Sequence, residues 1–142
     1  MASDGGLSKF QKRMRAIPVA ARAAIEPALM KSAGEIADLQ RSMAPEKSGK
    51  LKASIAVTGP GEATPPYSQP GGSMTMPFNS ASITVGNTDV RYPHLVEYGH
   101  KNGFNGSEVP AHPFFWPGFR LGRKRALSRI KRAIGKAIRE AK

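Results

Sequence analysis

The 142-residue sequence contains no cysteine, which excludes disulfide bonds and metal sites built on thiolates. Long apolar runs are also missing, and none approaches the ~20 residues that a membrane-spanning helix needs. The first fifteen residues have an acidic residue ahead of the basic ones and no apolar stretch, so they do not resemble a secretory signal. We therefore expect a protein that is made in a cytoplasm and has no membrane partner.

Acidic residues are scarce, with 10 Asp and Glu against 22 Lys and Arg, and the net charge is +12. The excess is concentrated at the C-terminal end, where residues 120–142 hold ten basic residues and one acidic residue. A basic excess of this size favours a polyanionic partner, such as nucleic acid, anionic lipid or an acidic protein surface.

Aromatic residues are few at 7%, whereas 15 Gly and 12 Pro are present. The length suits a single domain, 1–142, with a modest core and generous loops. We expect residues 1–6 to be flexible and 59–79 to form a long Pro/Gly-rich loop. Loops of this length are uncommon inside compact domains. The loop is either a mobile linker or an arm that is mobile in the free protein and orders against a neighbouring subunit.

Apolar periodicity predicts a long helix in the first third of the chain. Leu7 to Ile17 and Ile25 to Met43 each place apolar residues on one face of a 3.6-residue repeat. Pro18 should separate a short helix from a longer one, and Pro27 should kink the longer helix or mark its first turn. Ala44 precedes a proline, so we expect the helix to end there.

The middle of the chain predicts short strands. Alternation over 51–58 and the apolar pair Ile83 and Val85 each indicate a half-buried strand, and 87–89 suits a turn. Segment 92–98 is compatible with a strand or a short helix. Segment 109–117 should be extended because it contains three prolines, and a helix should run from about Phe119 to the end. The predicted fold class is α+β: a long, kinked N-terminal helix, a small antiparallel β-sheet, an extended Pro/aromatic segment and a basic C-terminal helix.

Three segments in this order carry a family resemblance: SGKLKASI at 48–55, YPHLVEYGH at 92–100 and VPAHPFFWPGFR at 109–120. Together they resemble the HK97 gp10-like family of tailed-phage proteins, over roughly residues 8–140. The sequence departs from the family pattern at His100, where the family usually has Thr, and in the enlarged loop 59–79.

The resemblance implies a structural virion protein of the head–tail neck or of tail completion, without catalytic activity. It implies a homo-oligomeric ring around the DNA channel that joins head to tail, with six subunits favoured and twelve as the alternative. The implied partners are other neck, head-connector and tail proteins, with non-specific contact to packaged DNA. The alternative function is that of a small basic protein that binds nucleic acid non-specifically.

Aromatic and proline residues near the second and third motifs are the candidate contacts with a neighbouring subunit. Phe114, Phe115 and Trp116 suit core filling alone or core and interface together. The resemblance argues for a structural use of Glu97, and Arg91 or Arg120 could pair with it. The expected subunit or neck interface consists of Tyr92, Glu97, Tyr98, Pro113, Phe114, Phe115 and Trp116.

Catalytic and metal sites have no support in the sequence. His94, Glu97 and His100 form H-x-x-E-x-x-H, but neither a strand nor a helix brings all three to one face. No nucleophile elbow and no glycine-rich phosphate-binding motif occurs. We therefore expect no catalytic residue, no metal and no cofactor.

The C-terminal helix is expected to hold to the domain through Leu127, Ile130, Ile134 and Ile138. Its basic face has three interpretations: a solvated surface, a sequence-independent contact with phosphates, or a membrane-surface contact. In a neck ring it could face passing DNA or dock on an acidic neighbour. The residues expected to project outward are Arg123, Lys124, Arg125, Arg129, Lys131, Arg132 and Lys136.

Overall fold

The computed structural model describes residues 12, 19–45, 49–77, 80–101 and 106–140. The described residues form an α+β fold with two long helices and two small antiparallel sheets. The elements are α1 (Val19–Met43), α2 (Lys50–Ala53), β1 (Ala56–Thr58), β2 (Ser82–Thr84), α3 (Pro93–Tyr98), β3 (His100–Lys101), β4 (Glu108–Val109) and α4 (Phe115–Glu140). None of the described helices is long and apolar enough to cross a membrane.

Helix α1 ends at Met43, as the proline after Ala44 predicts. Pro27 lies inside the helix and not in its first turn, and the kink there stays a prediction. The apolar positions Ile25, Ile36 and Ala37 are buried, so one face of α1 forms part of the core. The predicted short helix before Pro18 and the flexible residues 1–6 fall outside the described residues, apart from the helical Lys12.

The predicted strand 51–58 is wrong in its first half. Residues Lys50–Ala53 form a helical turn, and only Ala56–Thr58 is a strand. Gly49 enters the turn with φ 73°, a conformation that favours glycine, and Ser54 Oγ donates to the carbonyl of Leu51 at 2.6 Å. Leu51 and Ile55 are both buried and lie four residues apart. This spacing places two residues on the same face of a strand or of a helical turn, so it does not distinguish the two.

Both described sheets are two-stranded and antiparallel. In the first, β1 pairs with β2 in the register Val57 with Ile83. In the second, β3 pairs with β4 in the register His100 with Val109. The predicted turn at 87–89 is confirmed, because Asn87 Oδ1 accepts hydrogen bonds from the backbone of Asp89 and Val90.

The described part of the loop 59–79 is joined to itself and to the sheet by hydrogen bonds. Thr64 N donates to the carbonyl of Met74 at 2.8 Å, and Ala63 and Thr75 form an isolated antiparallel bridge. Gln69 exchanges two backbone hydrogen bonds with Val85, directly after β2. These contacts give the Pro/Gly-rich segment a defined path, whereas its predicted mobility before assembly stays a prediction.

Segment 92–98, for which a strand and a short helix were both compatible with the sequence, forms the short helix α3. Pro93 is its first residue, where the missing N–H costs little. Helix α4 begins at Phe115, four residues before the predicted start. Pro117 therefore lies in its first turn, which tolerates proline. The predicted extended segment ends earlier than expected, and Trp116 and Pro117 are helical.

Helices α1 and α4 pack against each other through small residues of α4. A Cβ atom at Gly118 would lie 2.6 Å from Cγ of Gln40, and one at Gly122 would lie 2.7 Å from Cγ1 of Ile36. Ala126 continues this buried stripe at a further spacing of four. The two backbones can therefore approach closely only because these α4 positions lack larger side chains.

Candidate assembly surface

The candidate surface begins at the carboxylate of Glu97, at the end of α3. Glu97 Oε2 accepts hydrogen bonds from the backbone N–H of Phe114 at 2.9 Å and Phe115 at 3.0 Å, and Oε1 accepts one from Trp116 at 3.1 Å. The side chain is buried. A negative charge at a helix N-terminus satisfies amide groups that have no partner inside the helix.

This geometry corrects the hypothesis that Glu97 pairs with Arg91 or Arg120. The observed partners of the carboxylate are backbone amides at the start of α4. Arg91 instead lies over the ring of Tyr67, 3.8 Å from its centroid, and donates to the carbonyl of Thr88. Glu97 thus links the second sequence motif to the third by capping, not by a salt bridge.

The three consecutive aromatic residues separate into core and surface. Phe114 and Phe115 are buried inside this chain, so their side chains serve the core in this conformation. Trp116 is 38% exposed, and its Nε1–H donates to the hydroxyl of Tyr98 at 2.9 Å. Tyr98 itself is 69% exposed. Of the seven predicted interface residues, the surface ones are Tyr92, Tyr98, Pro113 and Trp116.

Neighbouring rings hold Trp116 in place. Its ring meets those of Phe115 and Phe119 edge to face, at centroid distances of 5.1 and 6.0 Å. Because Phe115 is in the core and Glu97 fixes the backbone beneath, the exposed Tyr98–Trp116 pair is presented on a rigid base. A rigid exposed aromatic pair is a common anchor of protein–protein contacts.

Two depressions flank Trp116. The smaller, the aromatic cleft, has a volume of about 270 Å³ and lies between Gln69, Pro93, Tyr98 and Trp116. The larger, which we call the apolar groove, has a volume of about 430 Å³ and lies between α1, β2 and α4. Its lining includes Leu29, Ile36, Ile83, Trp116, Phe119, Arg123, Leu127 and Ile130.

The predicted basic face lies mostly where the sequence places it. Six of the seven residues are exposed on α4: Arg123, Lys124, Arg125, Lys131, Arg132 and Lys136. Arg129 is the exception, since only 15% of its side chain is exposed. Its guanidinium donates to both carboxylate oxygens of Glu35, at 2.7 and 2.9 Å, and to Ser32 Oγ at 3.3 Å. Arg129 therefore fastens α4 to α1.

The Glu35–Arg129 pair shifts the titration of both groups. The hydrogen bond from Arg129 is the main cause that lowers the pKa of Glu35. Desolvation opposes this shift, and smaller contributions from the charges of Arg129, Arg125 and Lys31 add to it. The same hydrogen bond raises the pKa of Arg129. Arg125 adds a longer contact, 3.6 Å from its Nε to Glu35 Oε2.

The predicted anchors of α4 are only partly correct. Ile134 is buried and packs near Ile25, and Ile130 is partly buried against the same cluster. Leu127 and Ile138 are 43% and 40% exposed, so they do not hold the helix to the domain. Gly118, Gly122 and Ala126 are also buried against α1, and a search for large apolar side chains does not find them. Their spacing of four was the available signal.

The histidines do not converge. Gln69 Nε2 and His94 Nδ1 are 3.1 Å apart, while His100 is in β3. Within the described ranges, no group of three or more His, Asp or Glu side chains could hold a metal ion.

Comparison with known proteins gives one family. A family model, described as a bacteriophage HK97-gp10 tail component, matches residues 8–99, about two thirds of the chain. No curated protein and no solved structure gives a significant match. The match includes the first motif and most of the second, and ends at Gly99, before the Pro/aromatic motif and α4.

Proposed function

The chain belongs to the HK97-gp10-like family of bacteriophage tail components, and we propose that it joins head to tail as a ring of the neck or of tail completion. The protein is thus virion-associated, and its role in the particle is structural, without catalysis. Family membership is the observation that carries the proposal. The exposed Tyr98–Trp116 pair supports it by supplying a rigid contact for an adjacent subunit.

The proposed ring closes through the surface around Trp116, and six copies are favoured over twelve because closed cyclic symmetry must match the tail. Each subunit would place Tyr92, Tyr98 and Trp116 against its neighbour. The backbone under this surface is fixed from inside the subunit by the buried residues Glu97, Phe114 and Phe115. The exposed residues of α4 then face the DNA channel or a docked neck protein.

The oligomeric state of the purified chain tests the ring. We expect native mass spectrometry at micromolar concentration to detect a closed oligomer, alone or with neck partners added. Tyr98→Ala should shift the distribution towards monomer, because it removes an exposed contact and its bond to Trp116. Leu121→Ser is the matched control, since Leu121 is 63% exposed and lines neither depression. A monomer under both conditions would contradict the ring.

The position in the particle needs a second experiment. Phage lacking the gene should produce filled heads and separate tails, and antibody labelling should mark the junction between them. Labelling along the tail shaft, or normal joined particles in the deletion, would contradict the neck assignment while leaving family membership intact.

A second candidate function is non-specific nucleic-acid binding, which the exposed basic side chains of α4 favour, among them the six exposed residues of the predicted basic face. Phosphate contacts release counterions, so binding should be sequence-blind and should weaken steeply with salt. Two unrelated DNA duplexes titrated at low and moderate salt test this. A stable monomer that binds both tightly would favour this function over the ring.

A further inference from the structure

The apolar groove is an incomplete interface on the side of α4 that α1 leaves uncovered. One wall is α1, with Leu29 and Ile36, and another is β2, with Ile83. The base is the face of α4 from Trp116 to Ile130, fifteen residues whose ends lie about 21 Å apart at 1.5 Å per residue. This length matches about four turns of a second helix.

Large apolar side chains in the groove remain in contact with water. Leu127 is 43% exposed and Trp116 is 38% exposed, whereas Phe119 and Ile130 are half-buried. Exposed apolar groups that converge on one depression, in contrast to single scattered ones, mark a surface used for binding. The groove therefore favours an occupant with its own apolar face.

The α4 side of the groove is basic. Arg123 lines it directly, and Lys124 and Lys131 are exposed beside it on α4. Glu140, more than two turns beyond the groove, is the first acidic residue of α4. An occupant with acidic residues along the edge that faces α4 would therefore be attracted to this side of the groove.

We propose that the apolar groove binds an amphipathic helix of another protein, with apolar residues on the inserted face and Asp or Glu along its edges. An apolar stripe laid into a groove between helices is a recurrent mode of recognition, and the charged edges would fix orientation and partner choice. This inference goes beyond the ring and does not depend on it. The two surfaces share Trp116, but the residues substituted in their tests, Tyr98 for the ring and Leu127 for the groove, differ.

Other occupants fit less well. A second copy placed helix to helix would bring Arg123 and Lys131 against identical charges. DNA would gain no hydrogen bond from the apolar walls and would lose water there. The amphipathic sequence 7–17 of this chain carries four basic residues and no acidic one, namely Lys9, Lys12, Arg13 and Arg15. It would meet the basic edge of the groove with like charge.

The test uses the full chain and two fluorescent peptides of about 18 residues, both helical and with leucines on one face. One peptide has Glu along the edges of that face and the other has Lys at the same positions. In fluorescence anisotropy the Glu peptide should bind at least about tenfold more tightly than the Lys peptide, and salt should reduce the difference.

Two leucine variants of α4 locate the binding. Leu127→Ser should weaken binding of the Glu peptide by about tenfold or more, because it removes an apolar contact in the groove. Leu121→Ser should leave binding unchanged, because Leu121 is equally apolar, is 63% exposed and lies outside the groove. Arg123→Glu should selectively weaken the Glu peptide and improve binding of the Lys peptide.

Four results would overturn the proposal. Equal binding of both peptides would show that charge does not select the occupant, and equal effects of the two serine variants would place binding elsewhere. No binding of the Glu peptide would show that the groove is closed or already filled. If sedimentation shows that Leu127→Ser, but not Leu121→Ser, dissociates an oligomer, then a second copy is the occupant.

Discussion

The carboxylate of Glu97 caps the helix that begins at Phe115. Its Oε2 accepts hydrogen bonds from the backbone amides of Phe114 and Phe115, which lie seventeen and eighteen residues later in the sequence. One buried side chain thus joins α3, the Pro/aromatic segment and the start of α4. The exposed pair Tyr98 and Trp116 stands directly on this junction. Stability of the junction and presentation of the surface are therefore coupled.

Substituting Glu97→Gln tests that coupling. The amide keeps the size of the side chain but loses the charge and one acceptor, so at least one backbone N–H lacks its partner. We expect a loss of about 1–3 kcal/mol in the free energy of unfolding, measured in urea. Glu108→Gln is the control, since Glu108 is exposed in β4 and its substitution should change stability by less than about 0.5 kcal/mol.

Stability alone does not identify the cap, so the same variant should be examined for Trp116 fluorescence under native conditions. Loss of the amide hydrogen bonds should alter the environment of Trp116, which is held by Glu97 and Tyr98. A Glu97→Gln protein with unchanged stability and emission would show that the carboxylate is dispensable for the junction.

The contact between α1 and α4 depends on glycine at two positions, and Gly118→Ala tests it. The added methyl group would lie 2.6 Å from Cγ of Gln40 and 2.9 Å from its backbone nitrogen, so the helices must separate. We expect a loss of about 1–3 kcal/mol in stability. The measurement is urea or thermal unfolding of the purified chain.

Gly135→Ala is the matched control for Gly118→Ala on the same helix. The nearest atom to its new methyl group would be Arg139 Nη1 at 3.8 Å, an ordinary contact. The substitution should stabilise the protein by up to about 1 kcal/mol, because alanine is the better helix former. Equal effects of the two substitutions would mean that close packing at Gly118 does not limit the helix contact.

These contrasts also show how far the sequence could predict the structure. The boundary of α1 at Ala44 and the turn at Asn87 are set by local backbone preferences, so proline and asparagine predict them well. The packing of α4 is set by α1, which is remote in sequence. Large apolar residues suggested Leu127 as an anchor, whereas the structure uses Gly118 and Gly122.

Long-range polar partners were the other part that could not be predicted. Arg129 and Arg132 lie on the same basic helix, and nothing local indicates that Arg129 makes the close two-oxygen contact with Glu35, 94 residues earlier. Glu97 was recognised as structural from the resemblance, but the amides that it caps become available only when α4 starts at Phe115. A helix start shifted by one turn changes which groups need a partner.

The Glu35–Arg129 pair predicts a specific pH dependence. Because the folded-state pKa of Glu35 lies below its ordinary value of 4.5, its ionised form is favoured by folding. The stabilisation is fully present above the unfolded pKa and is lost as pH falls through the lowered folded pKa. Wild-type stability should therefore decline below about pH 4.5 more steeply than that of Glu35→Gln, as measured by urea unfolding from about pH 6 to 3.

The control for this pH dependence is Asp38→Asn, because Asp38 pairs with Arg41 on α1 but is 77% exposed at the side chain. Exposed pairs contribute little, so its acid profile should follow that of the wild type. Parallel profiles for wild type and Glu35→Gln would show that the pair does not contribute to acid sensitivity.

Charge reversal on α4 should separate a structural arginine from a functional one. Arg129→Glu places a carboxylate against Glu35 at a largely buried position, so we expect clear destabilisation in urea. Arg132→Glu changes an exposed residue on the same helix, and the stability of this variant should stay within about 0.5 kcal/mol of wild type.

The exposed basic residues should instead matter for function. The double variant Lys131→Glu with Arg132→Glu should fold normally but bind DNA or an acidic neck protein more weakly. DNA titration at two salt concentrations and counts of joined particles measure this, because phosphate binding responds to salt whereas failure to dock leaves heads and tails apart. If the doubly reversed particles join, retain DNA and infect at wild-type levels, the exposed basic face is only a solvated surface and has no role in assembly.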